Sequence, residues 1–170
     1  MDLIVTPHGD GYQASYGNKT WRAAVGRGGI AVKGGEGDGI SPIGCWPIRR
    51  VFYRADRLAG PPTSAFPCTP IDPADGWCDA PDHPEYNRLV RRPFAASHEE
   101  MWREDHLYDI VVVLGQNDDP VVAGAGSAIF LHVARAEYSP TAGCAALSLT
   151  DLQDFLSEAT PDTRLCFKAQ

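Results

Sequence analysis

The residues best suited to chemistry lie in FLHVARAEYSPTAGCAALS, Phe130 to Ser148, where His132 and Cys144 stand on either side of a polar loop. A free thiol ionises near pH ~8.5, so only a small fraction is thiolate at neutral pH. An imidazole alongside takes that proton and leaves a thiolate–imidazolium ion pair, a competent nucleophile. The backbone N–H groups of Gly143 and Cys144 are expected to hold the oxyanion of a tetrahedral intermediate. Base, nucleophile and oxyanion site together read as acyl transfer through a thioester.

Two elements must position this pair. Ser127–Val133 alternates as a strand, with Ala128, Phe130 and His132 on one face and Ile129, Leu131 and Val133 on the other. The loop Ala134–Thr141 turns at Ser139-Pro140 and brings Cys144 back alongside His132. Gly143, with no Cβ, is expected to let a substrate approach the sulfur. Each residue also has an ordinary reading, as a small buried cysteine and a hydrogen-bonded core histidine. Spacing alone leaves both readings open, because His–Cys order does not transfer between families.

The chain has 170 residues, 44% hydrophobic and 22% charged, enough for one domain with a real core. Its net charge of −7 argues against nucleic acid as a ligand. The short basic runs Arg49-Arg50, Arg88 and Arg91-Arg92 read as solvated strand edges. No stretch approaches a membrane span. MDLIVTPHGDGY lacks the basic and apolar regions of a secretory leader. Cys68 and Cys78 flank a loop and are read either as a disulfide or as free thiols. A zinc site from Cys68, Cys78 and His83 has spacings unlike the usual ligand pairs. GRGGIAVKGGEGDGISPIGC matches neither the Walker pattern nor the dinucleotide fingerprint, and its glycines read as turns.

Glycine and proline throughout favour short strands and turns. Strands are expected at Leu3–Thr6, Lys19–Val25, Trp46–Tyr53, Ile110–Leu114, Ser127–Val133 and Arg164–Lys168. Two capping boxes, Ser97-His98-Glu99-Glu100 and Thr150-Asp151-Leu152-Gln153, predict short helices. Residues 55–93 read as loops laid over the sheet. The expectation is a single, mainly β domain over 1–170.

SAIFLHVARAEYSPTAGCAAL resembles the signature of the YkuD-type L,D-transpeptidase catalytic domain, a strand histidine followed by Ser/Thr-x-Gly-Cys. VGRGGIAVKGGEGDGISPIGCWPIRRVFYR, DGWCDAPDHPEYNRLV and SHEEMWREDHLYDIVVVLGQNDDP extend the resemblance over most of the chain, to a compact branch of that family. It implies a β-sandwich of mixed sheets with one or two short helices, and peptidoglycan stem peptides as donor and acceptor. By the same resemblance Cys144 is the nucleophile, His132 the general base and Thr141 the Ser/Thr of the signature. No cofactor or metal is called for, and a monomer in the periplasm is expected. The crosslink is of the 1,3 type, from an L-Ala carbonyl to diaminopimelate, or the 3,3 type. Ala142 and Ala146 stand where the commoner signature has histidine and arginine. Arg135 and Tyr138 are candidates to replace that arginine's contact with an anionic substrate group. His98 either lines the groove or sits at the surface, and Tyr86, Asn87 and Asn117 read as turn residues. Cys45 and Cys166 read as packing residues. Two alternatives stay open: an L,D-carboxypeptidase or endopeptidase with the same Cys–His site, and a non-catalytic cell-wall binding module.

Overall fold

Every second residue of strand β1 (Leu3–His8) turns inward at its start, so Leu3 and Val5 have no exposed surface. Strands β2 (Gly11–Tyr16) and β3 (Lys19–Ala23) continue from it as an antiparallel meander. The computed structural model describes residues 1–170. Short strands β4 (Ile30–Ala31) and β5 (Ser41–Pro42) pair at the two ends of the glycine-rich loop. The long β6 (Gly44–Tyr53) then divides its length between two antiparallel partners and takes a third, parallel one at its end. Its first residues pair with β14 (Arg164–Phe167), and Ile48–Tyr53 pair with β11 (Ile110–Leu114).

Residues expected as loops carry more pairing than composition suggested. β7 (Cys68–Pro70) adds to β6, while β8 (Asp75–Cys78), β9 (Leu89–Arg91) and β10 (His98–Glu100) form a small sheet with β8 in the middle. The helix expected after Ser97 is therefore absent: His98–Glu100 is extended and pairs with Gly76–Cys78. Tertiary pairing overrode the local capping signal.

Strand β12 (Phe130–Val133) pairs antiparallel with β11 and parallel with β13 (Ala145–Leu147). The main sheet runs β13-β12-β11-β6-β14-β1-β2-β3. It curls far enough for its ends to meet, where Ala24 and Ala146 exchange two 2.9 Å backbone hydrogen bonds. The helix α1 (Leu149–Glu158) is capped two residues before the expected Thr150: Ser148 Oγ accepts the Asp151 N–H. Its Leu152, Phe155 and Leu156 join a 24-residue core cluster with Leu131, Val133 and Leu147. The architecture is mainly β with one helix, consistent with a YkuD-like sandwich.

Cys45 and Cys166 face each other across β6 and β14 and form a disulfide. They are thus a covalent cross-strand tie, a correction to their reading as packing residues. Cys68 and Cys78 are free, which settles that alternative.

Candidate active site

The strand reading of β12 places its side chains as expected. Ile129, Leu131 and Val133 face the large core, while Ala128 and Phe130 join a second cluster that includes Cys144. Parallel pairing of β13 sets Ala145 against Leu131 and Ala146 against His132, so Cys144 enters β13 beside Phe130. Cys144 and His132 line one cavity of about 220 Å³.

The segment that carries Cys144 is held by close backbone approach. Gly143 has φ 142°, and a Cβ on it would sit 3.0 Å from the Ile40 carbonyl oxygen. Its missing side chain therefore makes room for the protein's own glycine-rich loop, not for a substrate, which corrects the sequence reading. Gly26 is tighter still, with a Cβ site 2.1 Å from the Gly39 carbonyl oxygen. Buried Ser41 fixes this junction by donating to Gly143 O at 2.7 Å and accepting the Gly26 N–H at 2.9 Å. Thr141 Oγ1 donates to Cys144 O at 2.7 Å and accepts the Gly143 N–H at 3.0 Å. The Gly143 N–H, expected to face an oxyanion, is thus already committed. Thr141 lines the cavity but also shapes the turn.

The electrostatics are those of a dry site. The Cys144 thiol donates to Ala128 O at 3.2 Å and accepts the Phe130 N–H at 3.4 Å. Burial, reinforced by the nearby Glu99 carboxylate, pushes this thiol up to about 12. His132 Nδ1–H donates to Val133 O at 2.9 Å, which leaves Nε2 as the ring's acceptor. Burial lowers the imidazole to about 4 despite that hydrogen bond. At rest the pair is consequently neutral thiol and neutral imidazole, not the ion pair expected from sequence. Ala128, whose carbonyl takes the thiol hydrogen, has φ 52°. Asn87 Oδ1 holds its N–H at 3.0 Å, and the same oxygen accepts Trp77 Nε1–H. Asn87 was read as a turn residue; it also braces the sulfur's support.

The other named candidates separate. Arg135 lines the cavity with Cys144. Tyr138 does not; its ring lies 4.5 Å from the Arg22 guanidinium in a neighbouring groove of about 640 Å³. That groove is larger but is lined by no cysteine; the thiol and the imidazole come together in the smaller cavity. His98 lies in neither cavity: its Nδ1 bonds to Ala96 O at 2.8 Å and its ring packs edge-on against Phe94. His98 is thus a half-buried strand residue and does not line the groove.

Three polar residues in the cavity went unnoticed in the sequence: Glu99, Arg103 and Tyr108. Tyr108 packs edge-on to His132, ring centroids 5.4 Å apart, and donates to Glu99 Oε2 at 2.7 Å. Burial raises the Glu99 carboxyl above the usual carboxylate range. A helix period over residues 97–102 hid this glutamate among surface charges; a strand period turns it opposite to its neighbours. For a metal, Asp2, Cys45 and Cys166 bring ligand atoms within 4.8 Å of one another, but the two sulfurs are joined and offer no thiolate.

A family model described as the L,D-transpeptidase catalytic domain, YkuD, matches residues 11–165. The chain belongs to the YkuD family. This is a cysteine-dependent L,D-transpeptidase family that acts on peptidoglycan in the periplasm or cell wall, and the match spans nearly the whole chain, as in a compact single-domain member. No curated protein and no solved structure matches the chain significantly.

Proposed function

We propose that this YkuD domain is a peptidoglycan L,D-transpeptidase that crosslinks stem peptides through a Cys144 thioester. The observation that carries the reading is the meeting of Cys144 and His132 in one cavity, with His132 held in the tautomer that can accept a proton. When a donor carbonyl arrives, the thiol turns from Ala128 O and gives its proton to His132 Nε2 as sulfur attacks. Because both groups are neutral at rest, proton transfer and attack proceed together, and the nucleophile is not stored as thiolate. The imidazolium then protonates the leaving amine. The Cys144 N–H has no partner in the protein and serves as an oxyanion donor.

Arg135 is the cationic contact for the donor, at the rim of the cavity. The acceptor is an amine of a second stem, giving a 1,3 or 3,3 crosslink. The Cys45–Cys166 disulfide supports work in an oxidising compartment, as expected of the periplasm. The test is incubation with purified muropeptides and separation of the products. Crosslinked dimers bear the proposal out; trimmed monomers alone make the protein a hydrolase, and unchanged substrate makes it a binding module.

A further inference from the structure

Resolving a thioester with an amine raises a proton problem that the Cys–His pair does not solve. At neutral pH an aliphatic amine is an ammonium, so two protons must leave nitrogen before the amide is complete. His132 returns one to sulfur. The other needs a second acceptor in the same cavity.

Glu99 has the position for it. Its Oε2 is occupied by Tyr108, while Oε1 has no hydrogen-bond partner in the protein. Arg103 lines the same cavity, its guanidinium 5.2 Å from the Tyr108 ring centroid. Asp105 holds its Nε and Nη2 at 2.9 and 2.6 Å, and Nη1 is left free. A carboxylate and a guanidinium edge therefore flank one tyrosine within reach of the sulfur. Fixed charges of both signs in a cavity of about 220 Å³ suit a small zwitterion.

We propose that Glu99 and Arg103 form the acceptor subsite, which takes a free α-amino-acid head group with its ammonium on Glu99 and its carboxylate on Arg103. This rests on the thioester reading above. The ammonium gives one proton to Glu99, and the neutral amine attacks the thioester carbonyl. The C–N bond forms, the C–S bond breaks, and the second nitrogen proton passes through His132 to the departing sulfur. Glu99 then releases its proton to solvent. Water needs only one proton removed, so hydrolysis does not require Glu99.

The experiment follows the fate of the acyl-enzyme formed from a stem-peptide donor, with glycine or glycinamide as acceptor. Intact mass of the acyl-enzyme shows that each variant folds. The wild-type protein is expected to favour glycine over glycinamide by about ten-fold or more, the size of a hydrogen bond between charged groups. Glu99→Gln should lower the ratio of aminolysis to hydrolysis by a similar factor, and Arg103→Gln should erase the preference for glycine. Equal use of the two acceptors by the wild-type protein overturns the proposal, as does an unaltered ratio in Glu99→Gln. Failure of the wild-type protein to form any acyl-enzyme removes the Cys144 reading itself, and this subsite with it.

Discussion

Leu131 and His132 are adjacent in sequence and occupy opposite faces of β12, in environments built on different principles. Leu131 lies within the 24-residue cluster that includes β1, β6, β11, β14 and α1. His132 faces the cavity beside the ten-residue cluster of Phe52, Trp77, Tyr108, Phe130 and Cys144. On the first face the packing is between hydrophobic side chains and many residues share the load. On the second, dryness acts on ionisable groups, and few hydrogen bonds hold each one: His132 to Val133 O, and two at the Cys144 sulfur. One face supplies fold stability; the other gives up part of it to keep the Cys144 thiol and the His132 imidazole out of water.

Exchanging the damage between faces breaks or sharpens this contrast. His132→Ala should lower kcat/KM by about 10²–10⁴-fold, with the denaturation midpoint little changed. A near-normal rate would remove His132 from the chemistry. Leu131→Ala should do the reverse, costing about 2–5 kcal/mol in denaturant unfolding while activity per folded molecule persists.

The pH dependence comes next. His132 in the folded protein binds its proton near 4, and in the unfolded chain near ~6.5. Protonation therefore favours unfolding: its full contribution is present above about 6.5 and is lost as pH falls toward 4, up to about 3 kcal/mol. The acid limb of kcat/KM should likewise lie near 4, where the free enzyme's base is lost. A limb centred at 6.5 would mean that water reaches the imidazole. The smallest effect is expected at Thr141, where Thr141→Val leaves the Gly143 N–H without its side-chain partner and the Cys144 carbonyl with only the 3.4 Å bond from Ser41 Oγ. Unfolding measurements should show a loss of about 1–3 kcal/mol, recovered in Thr141→Ser.

The sequence made one face of this strand more legible than the other. Alternation in Ser127–Val133 sufficed to put Ile129, Leu131 and Val133 on one face, because period two survives any partner. Cys144 and His132 were visible because residue type limits their chemistry. What stayed hidden depended on pairing. The Glu99 carboxylate enters the site only because His98–Glu100 joins β8, and the local signal there favoured a helix. Gly143 looked like an opening to substrate because nothing in its neighbourhood announces that Ile40, far back in the chain, fills the space. The Cys45–Cys166 tie needed the register of β6 against β14, which composition does not encode.

The most direct test of the account is the intact mass of the protein after a brief exposure to a stem-peptide donor, followed by peptide mapping. The wild-type chain should gain the donor's acyl mass, less the departing residue, on Cys144, and Cys144→Ala should gain nothing while keeping its fold. Crosslinking that persists in Cys144→Ala, or an acyl group mapped to another residue, would contradict it.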